Sequence, residues 1–359
     1  MMYSNVVKYG LSDCFEQEAA LYPDLFLARV VGQHRDRYGL VSERGELAGT
    51  VSGRLQYGAE GSVDFPAVGD WVMVDRADDR AGAAVIRNIL SRKSLFVRKA
   101  AGTKASESQV IAANIDTVFI CMSLNADFSL RRLERYLTIA WDSGATPVVV
   151  LTKADLCADL GGKIDEVASV AMGADVAACS MENSGGLDTV REYIQPGKTV
   201  ACIGSSGVGK STLVNCLAGE KLLATHEIRE HDDKGRHTTT RRELVLLPNG
   251  GIVIDTPGMR EIAVYNGNLT RAFEDIEKRA AQCKFGDCSH STEPGCAVRQ
   301  AVENGELSQK RFENWLKLGR ETLYDGLNSR QRENEKINRM FGSKAEMKQM
   351  FRHIKGKKS

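Results

Sequence analysis

The chain has no apolar run long enough to cross a bilayer. Its longest runs, such as Pro147 to Leu151, fall far short of the ~18 residues a membrane helix needs. The first eight residues lack the basic start and long apolar core of a secretory leader, so a cytoplasmic, non-membrane protein is expected. Net charge is almost absent: 48 Lys and Arg stand against 47 Asp and Glu, giving +1. A chain that is basic throughout is excluded, and any contact with nucleic acid must use local patches. Internal repeats are lacking, and nothing marks a dimer interface, so a monomer is expected. The nine cysteines are too few and too scattered for a disulfide-framed mini-protein. With 359 residues, 42% hydrophobic and 26% charged, the composition is that of a globular protein of about two or three domains.

The texture changes along the chain. Phe26 to Val31, Leu47 to Val51, Gly69 to Val74 and Ala84 to Ile89 are short runs punctuated by Gly, Asp and Ser, the pattern of a small barrel of OB type. A helix is expected around Ser12 to Leu21. Lys99 to Gln109 is small, polar and aperiodic, and reads as a linker. Beyond it, continuous apolar strands at Thr117 to Met122, Pro147 to Leu151 and Thr199 to Ile203 alternate with amphipathic stretches, which predicts a parallel sheet covered on both faces. Leu244 to Leu247 and Ile252 to Ile254 form a strand pair. After Asn266 the pattern is helical, with Leu269, Phe273, Ile276 and Ala280 on one face and an N-cap at Ser308. The expected units are an N-terminal extension (1–25), a barrel (26–98), an α/β domain (110–265), a helical domain (266–328) and a basic tail (329–359).

Gly204-Ser205-Ser206-Gly207-Val208-Gly209-Lys210-Ser211 matches GxxxxGK[ST] in full. Glycines let the backbone wrap a polyphosphate, successive N–H groups form an anion nest, and the following helix adds its positive end. Lys210 is placed for the β- and γ-phosphates and Ser211 for Mg2+. Asp255-Thr256-Pro257-Gly258 ends an apolar strand as DxxG. There Asp255 can hold Mg2+ through water, and the Gly258 N–H can meet the γ-phosphate.

Thr152-Lys153-Ala154-Asp155 follows the Pro147 strand and resembles the guanine-reading NKxD motif, with Thr in the Asn position. The Asp155 carboxylate can accept from guanine N1–H and the 2-amino group; adenine offers neither. Ser180 belongs to the second base-contacting loop. In ordinary GTPases these two loops follow the phosphate loop, whereas here they precede it. Because loops and termini lie at the surface, the same sheet can be assembled from a permuted chain.

Between the phosphate loop and DxxG lies Gly235-Arg236-His237-Thr238-Thr239-Thr240, where a switch threonine belongs; one of Thr238, Thr239 and Thr240 is expected to meet Mg2+ and the γ-phosphate. Where many GTPases carry a water-orienting Gln directly after DxxG, this chain has Met259, which predicts slow intrinsic turnover and an activating partner. His237 is the nearest candidate replacement. Cys283, Cys288, His290 and Cys296 bring three thiols and one imidazole into fourteen residues, a ligand set that closes a tetrahedral zinc site with no open position. Arg92, Lys93, Arg98, Lys99 and Lys104 form one basic patch. The stretch from Arg330 to Lys358, with ten Lys or Arg against three Glu, forms another. With an oligonucleotide-type barrel these favour an RNA partner.

Taken in order, barrel, TKAD, phosphate loop, GRHTTT, DTPG and Cys/His cluster, the chain closely resembles the bacterial ribosome small subunit-dependent GTPase A (RsgA) family from about residue 25 to 340. The resemblance implies a multidomain α/β fold: an N-terminal OB-type β-barrel, a circularly permuted P-loop GTPase domain and a C-terminal helical zinc-binding domain. It implies a late factor in small ribosomal subunit assembly that binds rRNA, with GTP hydrolysis stimulated by the subunit and driving release. It further implies that Thr152, Lys153 and Asp155 read guanine, that Gly204 to Thr212 hold the phosphate of GTP or GDP, and that Cys283, Cys288, His290 and Cys296 hold zinc. Two other readings stand beside it. One is a P-loop enzyme using ATP or phosphorylating a small molecule; the other is an RNA-binding module with a vestigial nucleotide site.

Overall fold

The computed structural model describes residues 4–99, 108–125, 127–182, 186–220, 242–255 and 269–323. Two short helices, α1 (Ser4–Val7) and α2 (Asp13–Ala19), open the chain. Val6, Phe15 and Ala19 are buried against Leu27, Trp71, Met73 and Leu90, so this extension is packed onto the outside of the next unit.

That unit is built from β1 (Phe26–His34), β2 (Arg37–Ser42), β3 (Gly45–Val51), a short helix α3 (Gly53–Gly58), β4 (Trp71–Val74) and β5 (Ala84–Ile89). The strands run in the order β1-β2-β3-β5-β4, and β4 pairs back onto β1, closing a five-stranded barrel. Closure removes both free sheet edges. The barrel interior holds Ala28, Val30, Leu40, Leu47, Val72, Val74 and Ile86. β2 has no counterpart among the runs singled out in the sequence: Gly39 interrupts its apolar pattern, and its pairing to β1 and β3 is what holds it extended. β4 starts at Trp71 rather than Gly69. Gly69 lies at φ +97°, and a Cβ there would meet the Ala113 carbonyl at 2.1 Å, so only glycine fits this crossing.

Part of the expected linker is strand. β6 (Leu95–Lys99) and β7 (Ser108–Ala113) form an antiparallel pair flanking residues 100–107, which lie outside the described residues. The pairing is non-local and buries Phe96 and Ile111, a contact that local texture does not report.

The α/β part follows as β8 (Thr117–Ser123), α4 (Leu130–Asp142), β9 (Thr146–Thr152), α5 (Leu160–Ala168), β10 (Asp175–Ala178), α6 (Asp188–Arg191), β11 (Thr199–Ile203), α7 (Lys210–Ala218), β12 (Arg242–Leu246) and β13 (Ile252–Asp255). The order is β10-β9-β8-β11-β13-β12, parallel except for β12. Apolar clusters cover both faces, which is why β8, β9 and β11 read as continuous apolar runs.

β12 also pairs with β1, Gly32 opposite Glu243 and Gln33 opposite Arg242, so barrel and α/β part share one eleven-stranded sheet. Arg29 reinforces that seam. Fully buried, it donates to Gly69 O at 3.3 Å, to Thr199 Oγ1 at 2.9 Å and to the Tyr9 carbonyl, linking extension, barrel and β11. Burial lowers its pKa to about 10, which leaves it charged at neutral pH.

Three helices close the described chain: α8 (Glu274–Ala280), α9 (Ala297–Glu303) and α10 (Gln309–Leu323). Phe273 and Ile276 are buried as expected, although Leu269 precedes the helix and Phe273 is its N-cap. Arg311 on α10 is buried between Glu134 of α4 (2.7 Å) and Asp275 of α8 (2.8 Å), and it also donates to Ala272 O (2.9 Å). Burial pushes the Glu134 carboxyl up, with Arg311 and Asn314 opposing that shift. Every member of this set has a partner, the condition under which buried charge is tolerated.

Candidate nucleotide and metal sites

The phosphate loop joins β11 to α7. Gly204, Gly207 and Gly209 all adopt positive φ. At Gly204 (φ +145°) a Cβ would meet the Cys121 carbonyl at 2.3 Å, so this glycine is required by the neighbouring strand as well as by a ligand. Gly209 (φ +93°) caps α7, whose first residue is Lys210. The Lys210 ammonium lies over its own loop, 2.8 Å from Gly204 O and also bonded to Ser205 O, and so sits within the curl of backbone.

The TKAD loop starts at the end of β9. Lys153 is left-handed (φ 58°) and opens a single helical turn, Ala154–Leu156. Thr152 is fully buried, and its hydroxyl donates to Val208 O at 2.7 Å. Lys153 Nζ donates to Gly207 O at 3.2 Å. The TKAD loop is therefore fastened to the phosphate loop by two hydrogen bonds, the first made by the threonine that stands in the asparagine position. From the tip of β10, Ser180 Oγ donates to Asp155 Oδ1 at 2.6 Å, and Ala154 N donates to Cys179 O at 3.2 Å. Ser180 orients the carboxylate while leaving it acceptor capacity for a base. The two loops that stand apart in sequence from Gly204–Ser211 thus meet it at one edge of the sheet.

Asp255 ends β13, whose Ile254 is opposite Ala201 of β11, so it lies at that same sheet edge. Residues 256–268, including Gly258 and Met259, fall outside the described residues. So do His237, Thr238, Thr239, Thr240, Lys104 and the tail from residue 324.

The Cys/His cluster sits between α8 and α9. Cys283 Sγ lies 3.6 Å from His290 Nδ1 and 3.9 Å from Cys296 Sγ; His290 Nδ1 lies 3.4 Å from Cys296 Sγ. All four ligand atoms, Cys288 included, fall within 4.8 Å of one another. A tetrahedral zinc with bonds of ~2.3 Å to sulfur and ~2.0–2.1 Å to nitrogen requires S···S near about 3.8 Å and S···N near about 3.6 Å. The donor set and spacing fit that ion. Cys296 caps α9 by accepting from Arg299 N at 3.5 Å, and the His290 ring packs on Trp315 at 5.1 Å. Trp315 in turn donates to Glu277 at 2.9 Å, so α8, α9 and α10 all meet at the cluster.

The basic patch is revised. Arg92 is spent inside the fold: it pairs with buried Asp70 at 2.6 Å and donates to Val63 O and Phe65 O. Lys93 donates to Ser12 Oγ at 2.8 Å and lies over the Phe15 ring. Local sequence could not distinguish these from solvated charges, because Asp70 and Phe15 are their reasons for being there. Sequence reasoning also missed Arg132, the third residue of α4, which reaches Ser205 of the phosphate loop; no motif spacing marks it.

A P-loop sheet in permuted order, with a guanine-type loop bonded to the phosphate loop, defines a circularly permuted GTPase. The chain belongs to the RsgA GTPase family. The family model for RsgA GTPase matches residues 89–265. The chain is 52% identical to small ribosomal subunit biogenesis GTPase RsgA 2 of Lactiplantibacillus plantarum, over 97% of this chain and 98% of the relative. It is 46% identical to RsgA 1 of Listeria innocua, over 88% and 89%. Among solved structures it is similar to YjeQ from Thermotoga maritima (TM-score 0.61, 29% identity, covering 83% of this chain and 99% of that one). The fold is shared with YloQ, a circularly permuted GTPase (TM-score 0.59, 23% identity, 85% and 97%).

Proposed function

We propose that this GTPase acts late in small ribosomal subunit biogenesis, binding the subunit and its rRNA in the GTP form and leaving when the subunit stimulates hydrolysis. The observation that carries the reading is the pair of bonds from Thr152 and Lys153 to the phosphate loop, which couples base recognition to phosphate binding. The names of the relatives support the assembly role. Thr152, Lys153, Ala154, Asp155 and Ser180 hold guanine, and Gly204 to Thr212 hold the phosphates. Ser211, Asp255 and one of Thr239 and Thr240 hold Mg2+. Gly258 senses the γ-phosphate, and His237 stands nearest to the missing glutamine's task. One structural zinc sits on Cys283, Cys288, His290 and Cys296. The protein works as a cytoplasmic monomer, with functional units at 26–98, 110–265 and 266–328.

Phosphate release from GTP and from ATP, each with and without purified small subunits, tests the reading. Slow GTP turnover, strongly raised by subunits and absent with ATP, is expected. Equal use of ATP, or indifference to subunits, overturns it.

Arg92, tied to Asp70, is one wall of a cleft whose other cations are better placed for the RNA contact. Beside α3 and β5 runs a cleft of about 640 Å³ lined by Arg54, Leu55, Arg87 and Asn88. Arg54 and Arg87 are exposed and make no hydrogen bond or ion pair among the described residues, and Tyr57 nearby is 96% exposed. Exposed cations beside an open aromatic ring suit phosphate and base stacking. Replacing both arginines by alanine is expected to weaken subunit binding and to flatten its log–log salt dependence by about 0.7 to 0.9 per arginine. GTP turnover without subunits stays unchanged. An unaltered salt slope would move the contact elsewhere.

A further inference from the structure

We propose that Arg132 is a catalytic residue for GTP hydrolysis, mounted beside the phosphate loop through Ser205 and presenting a built-in cation to the phosphates. The proposal rests on the GTPase reading of the site. β8 and β11 are parallel neighbours, with Ile120 opposite Ile203, so the chain leaves both strands at the same edge. The start of α4 and the phosphate loop therefore lie side by side. Arg132 Nη1 donates to Asp127 Oδ1 and Oδ2, each at 2.8 Å, and to Ser205 Oγ. Ser205 is the second residue of the loop, and its carbonyl receives Lys210 Nζ. Two cations thus converge on one residue, Lys210 on its carbonyl and Arg132 on its hydroxyl.

Stability does not account for this placement. The Arg132 and Asp127 side chains are 37% and 41% exposed, a setting in which an ion pair contributes little. What Asp127 does is aim the guanidinium. Nε and Nη2 make no hydrogen bond among the described residues, which leaves them as donors for an anion in the loop. The mount is rigid: two residues along α4, Glu134 is locked to Arg311 (2.7 Å), and next to it Arg135 pairs with Glu321 (2.8 Å). The chemistry calls for such a group. Charge accumulates on the phosphoryl oxygens during transfer, an arginine from the same chain can neutralise it, and Met259 offers no help with the attacking water.

The test compares Arg132→Ala, Arg132→Lys and Ser205→Ala with the unaltered protein. GDP affinity, single-turnover GTP hydrolysis, and affinity for GDP with aluminium fluoride, a mimic of the transferring phosphoryl group, are measured. Arg132→Ala is expected to keep GDP affinity within about twofold while hydrolysis and aluminium fluoride binding fall together by roughly tenfold to a hundredfold, the lower part of what arginine supply contributes. Arg132→Lys recovers part of the loss, and guanidinium ion in solution restores turnover in the alanine variant alone. Ser205→Ala, which keeps the charge but frees the loop, loses less. GDP and aluminium fluoride binding falling equally, or turnover equal to the unaltered protein, overturns the proposal. Absence of GTP turnover in the unaltered protein would overturn the GTPase reading and this proposal with it. Should the alanine variant fail to fold, the lysine variant decides: full GDP binding with reduced turnover supports the role, and unchanged turnover refutes it.

Discussion

Asp155→Asn is expected to lower GTP and GDP affinity by roughly three to four orders of magnitude and to shift preference toward xanthine nucleotides. In the proposed role the carboxylate accepts from two guanine donors, N1–H and the 2-amino group. A carboxamide replaces one acceptor with a donor, which then faces the 2-amino group donor to donor. Xanthine carries a carbonyl at that position and restores the match. Sites built to hydrogen-bond a substrate group reject analogues that leave it unpaired by ~10⁴–10⁵, so the effect belongs to the large class. Ser180 keeps its bond to the remaining oxygen, and the bonds of Thr152 and Lys153 to the phosphate loop are untouched, so the fold is preserved. Titration of GDP, the xanthine diphosphate and ADP against both proteins checks this. A GDP affinity within threefold of the unaltered protein would remove Asp155 from base recognition.

Loss of zinc is the second large effect. The protein is expected to carry one zinc per chain by elemental analysis, and Cys288→Ser or chelation to release it. Apparent zinc-binding energies in small zinc modules are ~10–16 kcal/mol, and that binding energy is folding energy. α8 and α9 are seven residues each, well under the ~12–15 at which isolated helices become marginal. Without the ion they are left with the apolar contacts of Phe273, Ile276, Val298, Ala301 and Trp315 and with the Arg311 ion pairs. The core of the barrel and that of one face of the α/β sheet use other residues, while the other face shares its core with these helices. Thermal unfolding should therefore split into two transitions, the zinc-dependent one moved down by ten degrees or more, roughly the consequence of losing several kcal/mol. GDP binding should survive. Because the ligand thiols must be deprotonated, zinc affinity falls as pH falls, so acid acts in the same direction as the chelator. A single unshifted transition in Cys288→Ser would show that the cluster does not hold this part of the fold together.

The three site motifs were legible because each carries chemistry that only certain residue types at short spacing can perform. A polyphosphate needs glycines and a lysine within eight residues, a purine edge needs an acceptor at a strand tip, and a zinc ion needs four soft or imidazole donors. The permuted order could be read for the same reason, since each motif is recognisable by itself wherever it stands. Local alternation revealed four of the five barrel strands. It missed β2, where Gly39 breaks the pattern, and it took the ends of β6 and β7 for linker, because their pairing lies across residues 100–107.

By itself, then, the sequence determined the chemistry: nucleotide class, metal donors and the absence of a glutamine after DxxG. Only the tertiary structure decided how those pieces are held. It closes the barrel through β4 and β1, and it joins barrel to α/β sheet through β1 and β12. It buries Arg29 against Thr199, 170 positions away, and turns Arg92 inward onto Asp70. It also delivers Arg132 to the phosphate loop. The physical reason is common to all of these. A motif's spacing is set by the backbone over a few residues, whereas the partner of a charge or of a strand edge is set by topology. An arginine reads the same in sequence whether its counter-charge is solvent, a buried aspartate or a phosphate.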